Sequence, residues 1–193
     1  MTPSKQLLTT LICATLTTFL KCEFYFDFLN RTVPDISKFY TKDEKIWTVN
    51  TTTRTNISCK VDFVNLITEN YTNFTRCYLW NGTKSEHHLQ GTFKKIDLFS
   101  QSGTAFDGMW IRTQEGGMYT EREQLVFEYG NYTCGIFKVS LLTGMAGYHF
   151  EVRVKESTIQ HPNASCVDKF QKLSQNQTVT TMYTNSCLHS QSG

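Results

Sequence analysis

The chain has 193 residues, of which 39% are hydrophobic and 19% are charged, and its formal net charge at pH 7 is +2. This balance, without any run of basic residues, gives no long-range attraction to nucleic acid or to an anionic membrane, so neither is expected as a partner. The length suits a single domain with one hydrophobic core.

The N-terminal residues have the pattern of a secretory signal. Lys5 precedes an apolar, threonine-rich run from Leu7 to Leu20, which is too short to span a bilayer as a helix. We interpret residues 1–22 as a signal peptide cleaved after Cys22, and residues 23–193 as the mature domain; cleavage a few residues earlier would retain Cys22. No later run has membrane length, and we expect a free, secreted, extracellular protein.

Glycosylation signals are frequent after this N-terminal segment. In a chain that enters the secretory route, several Asn-x-Ser/Thr sites are expected to carry glycans, which places those asparagines on the surface. Asn70 and Asn73 are too close for both to be filled efficiently. The nine sites are Asn30, Asn50, Asn56, Asn70, Asn73, Asn81, Asn131, Asn163 and Asn176.

The cysteines beyond residue 22 are dispersed, and in an oxidising compartment they are expected to form disulfides. A zinc site would need short paired spacings such as Cys-x-x-Cys, which are absent, so no metal is expected. Counting does not select the pairing. With Cys22 removed, one thiol is left over, and we expect Cys77 to be that thiol, either buried or linked to a second chain; with Cys22 retained, a Cys22–Cys77 bridge is an alternative. The five are Cys59, Cys77, Cys134, Cys166 and Cys187.

Short segments rich in β-branched and aromatic residues recur along the chain, bounded by Gly, Asn, Ser or Thr, which is typical of strands. Eight such segments in sequence predict an all-β fold, an eight-stranded antiparallel up-and-down barrel, with room for side chains or one small ligand. The predicted strands are Lys45–Asn50, Thr55–Asn65, Phe74–Trp80, His88–Phe99, Phe106–Gln114, Met118–Tyr129, Tyr132–Val139 and Gly147–Lys155.

Two turns and two helices are also predicted. Glu115–Gly117 and Thr143–Gly147 supply the glycines that tight hairpins need. A short helix is expected over Asp35–Tyr40. Ser165–Asp168 has the pattern of a capping box, and it opens a second helix that should lie against the outside of the barrel with Cys166, Phe170 and Leu173 on one face.

No catalytic motif is present. The sequence lacks a nucleophile elbow, a zinc-protease helix motif, a phosphate loop and a dinucleotide fingerprint, so neither enzymatic activity nor a cofactor is expected. His87 and His88 are neighbours on a strand and point to opposite faces, which prevents them from sharing a metal or a proton. We interpret the pair as a solvated strand start.

Several segments together carry a specific pattern. They are Ile46–Trp47 with Cys59 a dozen residues later, Tyr132–Val139, Gly147–Phe150, Asn163–Phe170 and Met182–Leu188. The pattern resembles the tick salivary lipocalins of the histamine-binding family, including its Japanin-like branch. The match is strongest from Tyr132 to Leu188 and weakest between Cys59 and Tyr132.

The resemblance implies a calycin barrel with a short N-terminal helix and a C-terminal helix packed outside. It also implies that Cys134 pairs with Cys166 and Cys59 with Cys187, which leaves Cys77 unmatched. It further implies secretion in saliva and sequestration of a host mediator such as histamine, serotonin, a leukotriene, a fatty acid or cholesterol. A fold alone does not choose among these ligands.

The last predicted strand shows where alternation and resemblance disagree. Alternation favours its apolar row inside, whereas the resemblance places His149, Glu151 and Arg153 inside and lets the C-terminal helix cover the apolar row. Glu44 and Trp47 match another part of the family's amine site, although Trp47 is as well explained as plain core. Four further strand aromatics are candidates to line or fill the lumen: Trp110, Tyr119, Phe127 and Phe137.

The position of His149 departs from the family, because the histamine binders carry an acidic, amine-gripping residue there. A histidine is neutral or positive and does not pair with an ammonium. The sequence therefore predicts weak binding of histamine and serotonin and a preference for a fatty acid derivative or sterol. The protein is expected to be a monomer, unless Cys77 links two chains. The alternative function is an effector that acts on host immune cells or proteins through its outer surface.

Overall fold

The computed structural model describes residues 33–96, 106–143, 147–175 and 177–190. The predicted signal peptide, Asn30, Asn176 and the tip of the predicted Thr143–Gly147 turn lie outside the described residues. In chain order the elements are helix α1 (Ile36–Phe39), strands β1 (Lys45–Thr51), β2 (Ile57–Ile67), β3 (Tyr71–Trp80), β4 (Thr83–Lys94), β5 (Gly108–Thr113), β6 (Gly116–Tyr129), β7 (Cys134–Leu141) and β8 (Tyr148–Lys155), a 3-10 turn (Glu156–Thr158), helix α2 (Ala164–Leu173), strand β9 (Thr180–Thr181) and helix α3 (Cys187–Ser190).

The strands form one closed antiparallel barrel. Each of β2 to β7 pairs with the next strand in sequence, and β1 pairs with both β8 and β2, which closes the ring. The two-residue strand β9 adds to β1. Alternation within a strand is clearest in β5, where Met109 and Ile111 are fully buried and Trp110 between them is exposed. The prediction of an eight-stranded antiparallel barrel is confirmed.

The bounds of β4 correct the sequence-based prediction. The strand begins at Thr83, five residues before the predicted start at His88, and ends at Lys94. It forms a tight hairpin with β3 across Asn81 and Gly82, whose φ angles are 48° and 82°. Asn-Gly favours such turns because both residues tolerate positive φ, and this signal was missed. The predicted hairpin at Gly116 and Gly117 is confirmed, with φ angles of 104° and 95°.

Helix α1 closes one end of the barrel. Asp35 caps it by accepting a hydrogen bond from the Ser37 backbone N–H at 3.1 Å, and Ile36 and Phe39 are fully buried. The Phe39 ring packs edge-on against Phe137, with centroids 5.0 Å apart. The strand beneath it carries Gly135, where a Cβ atom would lie 2.8 Å from Phe39, so the close approach requires glycine.

The barrel has a second apolar layer on its outside. Helix α2 packs against the outer faces of β6, β7 and β8, and its buried Cys166 and Phe170 meet Val152 and Val154. The predicted common face of Cys166, Phe170 and Leu173 is therefore found. The predicted cap is wrong: Asn163, not Ser165, accepts a hydrogen bond from the Cys166 N–H at 3.3 Å, because the helix begins at Ala164.

Two disulfides attach the outer layer to the barrel. Cys134 of β7 is bonded to Cys166 of α2, and Cys59 of β2 is bonded to Cys187 at the start of α3. These are the pairs that the resemblance implies. Cys77 is buried, 4% exposed, and forms no disulfide within the described part of the chain.

Candidate functional site

The inward face of β8 carries charge. Glu151 and Arg153 point into the lumen and are 2% and 0% exposed, whereas Val152 and Val154 between them belong to the outer apolar layer. This is the orientation that the resemblance implies, and it is opposite to the one that simple alternation favours. The reason is the cover by α2, which buries the outer row, so that both faces of the strand exclude water.

Arg153 is the centre of a buried ion network. Its guanidinium donates to Glu123 through Nη1 and Nη2, at 2.6 Å each, and to Glu151 through Nη2 at 2.6 Å. Lys60 Nζ donates to the other Glu151 oxygen at 2.7 Å. Nη1 of Arg153 also donates to the hydroxyl of the fully buried Tyr40, at 3.0 Å.

A second guanidinium extends the network toward the open end. Arg76 forms a two-point ion pair with Asp62, at 2.7 and 2.8 Å. Its remaining contacts are to Glu123 at 2.9 Å and to Glu121 at 3.0 Å. Glu123 therefore joins the two guanidinium groups, and Glu121 is the outermost carboxylate of the set.

The charged state of this network follows from its pairing. Burial alone would raise the pKa of the Glu123 carboxyl, but the guanidinium groups of Arg153 and Arg76 outweigh it and lower the pKa from 4.5 to about 2. Burial is opposed in the same way at Glu151, where Lys60 and Arg153 hold the pKa well below its usual range. Both carboxyl groups are ionised at neutral pH.

Counted without His149, whose Nε2 lies 3.4 Å from Glu151, the network contains one more carboxylate than cations. Its cations are Lys60, Arg76 and Arg153, and its carboxylates are Asp62, Glu121, Glu123 and Glu151. Six of these seven side chains belong to buried residues, and Glu121 is the exception, with 26% of its side chain exposed. The excess negative charge is therefore nearest to solvent at Glu121.

A cavity of about 200 Å³ lies between this network and the open end. Lys60, Glu121 and Glu151 contribute charged groups to its wall, and His149 stands beside them with Nε2 3.4 Å from Glu151. The opposite end of the lumen is filled by α1 and by the inner aromatic core. The lining residues are Thr51, Thr53, Thr55, Ile57, Lys60, Glu121, Val139, Leu141, His149, Glu151 and Met182.

Five of the network residues were missed by sequence reasoning: Lys60, Asp62, Arg76, Glu121 and Glu123. A signal was present in β2 and β6, where Lys60 and Asp62, and Glu121 and Glu123, stand two residues apart and so share one face of a strand. Without knowledge of which face is the lumen, the same spacing is also typical of a solvated row.

Four predicted lining residues are not in the lumen. Trp47 packs under the C-terminal segment against Tyr183, with ring centroids 5.1 Å apart, and Phe127 packs in the outer layer beneath Lys169. Trp110 and Tyr119 meet each other on the outer surface, 5.4 Å apart. Each is explained by strand parity, which in β6 is changed by irregularities in its register.

The two remaining candidates differ. Phe137 is fully buried in the inner core, where Arg153 lies over its ring at 4.5 Å. Glu44 is found near the closed end, 3.9 Å from Lys155, and does not line the cavity. His87 and His88 lie inside β4 and not at its start, but both are exposed, as the solvated interpretation expects. The His87 ring stacks on Tyr78, and its Nε2 lies 3.0 Å from the Tyr78 hydroxyl.

Comparison with protein families identifies the family of this barrel protein. The family model described as tick histamine binding protein matches residues 22–189. The chain belongs to the tick histamine binding protein family. Comparison with curated proteins gave no significant match. The family and the fold are those of proteins that bind small ligands.

Solved lipocalin structures share the fold at low sequence identity. The siderocalin Ex-FABP matches with a TM-score of 0.52 and 8% identity, over 74% of this chain and 90% of its own. Japanin from Rhipicephalus appendiculatus, solved bound to cholesterol, gives 0.52 and 7%, over 78% and 98%. Bovine odorant binding protein gives 0.52 and 13%, over 75% and 96%. At these identities the likeness concerns the fold alone.

Two further observations concern the described residues. They contain no group of three or more His, Cys, Asp and Glu side chains that could hold a metal ion. None of their helices is long and apolar enough to cross a membrane.

Proposed function

We propose that this protein is secreted in tick saliva and captures a small, polar host molecule that bears a cationic group, an amine such as histamine or serotonin, in the cavity at the open end of the barrel. The observation that carries this proposal is the carboxylate excess of the lumen at the cavity wall. A cation without a partner is costly to bury, so a lumen with spare negative charge favours a cationic guest.

Glu121 is the carboxylate best placed to meet an ammonium. Its contact within the network is the single one to Arg76, and a quarter of its side chain is exposed. Glu151 already accepts from Lys60 and Arg153, so it contributes less. His149 takes the position of the family's acid, but Glu121 supplies negative charge to the same cavity from another strand.

This proposal revises the expectation of a lipid ligand. Sites for drug-sized ligands occupy roughly 300–1,000 Å³. The cavity, at about 200 Å³, is smaller, and four of its eleven lining residues carry titratable groups. Below it the lumen is filled by the ion network and by Phe39, Phe74 and Phe137, all fully buried. A sterol would have to displace these groups, although Japanin, of the same fold, is described with cholesterol.

Titration calorimetry on the secreted full-length protein tests the proposal, with histamine, serotonin, arachidonate and cholesterol as separate titrants. We expect an amine to bind and Glu121→Gln to weaken that binding at least tenfold, because a hydrogen bond to a charged group contributes about 1.5–3 kcal/mol. Glu115→Gln, at the exposed tip of the β5–β6 hairpin, is the matched control and should bind like the wild type.

The opposite result would be equally clear. If arachidonate or cholesterol binds and neither amine does, the cavity opens for an apolar guest and the lipid expectation holds. Secretion is checked separately by N-terminal sequencing of the protein released from insect cells, which also locates the cleavage site and decides whether Cys22 remains.

A further inference from the structure

Strands β5 to β8 separate charge between their two faces. Their acidic residues are Glu121, Glu123, Glu151 and Glu128, of which the first three belong to the lumen network. Glu128 accepts a hydrogen bond from the Tyr132 backbone N–H at the β6–β7 turn, at 3.1 Å. The outward side chains of these strands include three cations and no carboxylate: Arg112, Arg122 and Lys138.

Aromatic rings separate these cations. The strand register places Thr92, Trp110, Arg122, Ser140 and Tyr148 side by side in one outward row across β4 to β8. Trp110 is 38% exposed and Tyr148 is 58% exposed. We call Trp110, Arg112, Tyr119, Arg122, Lys138 and Tyr148 together the basic face.

The rings and the cations hold each other in place. Arg112 lies over the Tyr119 ring at 5.4 Å and donates to Gln90 Oε1 at 2.9 Å, and Lys138 lies over the Tyr148 ring at 4.1 Å. Tyr119 in turn meets Trp110 edge-on. Among the residues that the structure describes, none of the three cations forms an ion pair with a carboxylate, so their positive charge is available to a partner.

None of the glycosylation sites among the described residues belongs to this face. From Thr83 to Pro162 the sequence holds a single site, Asn131, and it lies in the β6–β7 turn at the closed end of the barrel. The nearest site on a strand is Asn73 of β3, which is separated from Arg112 by Gln90 and so borders the face. Glycans are bulky and hydrated, and of the described sites only Asn73 would place one beside the basic face.

We propose that the basic face binds an acidic surface of a partner protein, independently of the lumen. Trp, Tyr and Arg are the residues that carry most of the binding energy in protein interfaces, and charge complementarity selects the partner. A second copy of this chain does not fit, because a two-fold contact would bring the same three cations together. Anionic polysaccharides and nucleic acids favour dense runs of Lys and Arg, whereas here the cations alternate with rings.

A defined acidic probe tests this inference: a random copolymer of glutamate and tyrosine, immobilised beside heparin, with the secreted full-length protein in solution. We expect the copolymer to be bound, and Trp110→Ala and Arg122→Gln each to raise the half-saturating concentration at least fivefold. Lys172→Gln removes one positive charge from an exposed position on α2 and should change the half-saturating concentration less than twofold. All three variants should bind the amine titrants, histamine and serotonin, as the wild type does. This control separates the test of the basic face from the test of the lumen.

Three outcomes would overturn the inference. The first is no binding of the copolymer. The second is binding of heparin alone, which would identify the face as a polysaccharide site. The third is an equal loss in Lys172→Gln, which would mean that the overall charge of the protein, and not the basic face, holds the probe.

Discussion

Arg153 and Glu123 form a two-point ion pair in the middle of the lumen, with both nitrogen–oxygen distances at 2.6 Å and both side chains 0% exposed. The two residues are 30 positions apart and stand on β8 and β6, with β7 between them. Their pairing therefore spans β7 on the inner face of the barrel wall. Arg153 also donates to Glu151, which lines the cavity.

Breaking this pair should be costly. Glu123→Gln leaves Arg153 and Arg76 with fewer carboxylates in a buried site, and removal of one partner of a buried ion pair typically costs about 3–5 kcal/mol. We expect a loss of that size in urea unfolding. Glu115→Gln, on the exposed hairpin, should stay within about 0.5 kcal/mol of the wild type. An equally small loss for Glu123→Gln would mean that the network adds little stability.

The same pair predicts acid sensitivity. The pKa of the Glu123 carboxyl is lowered from 4.5 to about 2 in the folded protein. Ionisation of this carboxyl is therefore more favourable in the folded state than in the unfolded state, and it stabilises the fold. This contribution, about 3 kcal/mol, is fully present above pH 4.5 and is lost as the pH falls from about 4.5 to about 2. Glu151, whose pKa is also lowered, adds to the loss.

Unfolding free energies, determined at intervals between pH 7 and pH 2, would measure this loss of stability in acid. The wild type should lose stability steadily below about pH 4.5, and Glu123→Gln should show a shallower slope because one of the titrating groups is gone. Parallel curves for the two proteins would show that Glu123 is not responsible for the acid sensitivity.

The sequence was sufficient to predict the barrel fold, but not to predict which side chains face the lumen. Strand number, the β5–β6 hairpin and the position of α1 follow from local patterns of β-branched residues, glycines and caps. The direction of each face does not, because α2 and the C-terminal segment bury the outside of β1 and β8. Trp47 and Val154 are therefore as buried as the inner residue Ile46, and burial alone does not indicate the lumen.

The ion network also could not be predicted from the spacing of residues along the sequence. Lys60 and Glu151 are 91 residues apart, and Arg76 and Glu123 are 47 apart, so only the closed ring of strands brings them together. The resemblance identified the inward face of β8 because it compares whole strands with known ones. It did not identify the partners that β2, β3 and β6 supply.

Asn163 combines a helix cap with a glycosylation site, and the two roles can be separated. Its Oδ1 accepts from Cys166 N–H, while a glycan would occupy Nδ2. Asn163→Ala removes both roles, whereas Ser165→Ala, at an exposed position, removes only the glycosylation signal. We expect the first to lose about 1 kcal/mol in urea unfolding and the second less than about 0.5 kcal/mol.

Asn163→Asp serves as the control, because it loses the glycosylation signal and keeps a capping oxygen; it should resemble Ser165→Ala. Equal losses in Ser165→Ala and Asn163→Ala would indicate that the glycan, and not the cap, stabilises this end of α2. Mass spectrometry of the secreted variants would show which of them has lost a glycan.

We expect the Cys77 thiol to be unreactive in the native protein. It is 4% exposed, and burial, together with the nearby Glu86 carboxylate, raises its pKa, so little thiolate is present at neutral pH. We expect no reaction with a thiol reagent until the chain is unfolded, and a single monomer band on non-reducing electrophoresis. Cys77→Ala should leave that band unchanged. A dimer band that is present in the wild type and absent in Cys77→Ala would instead establish the intermolecular disulfide, and would require the buried Cys77 to become exposed.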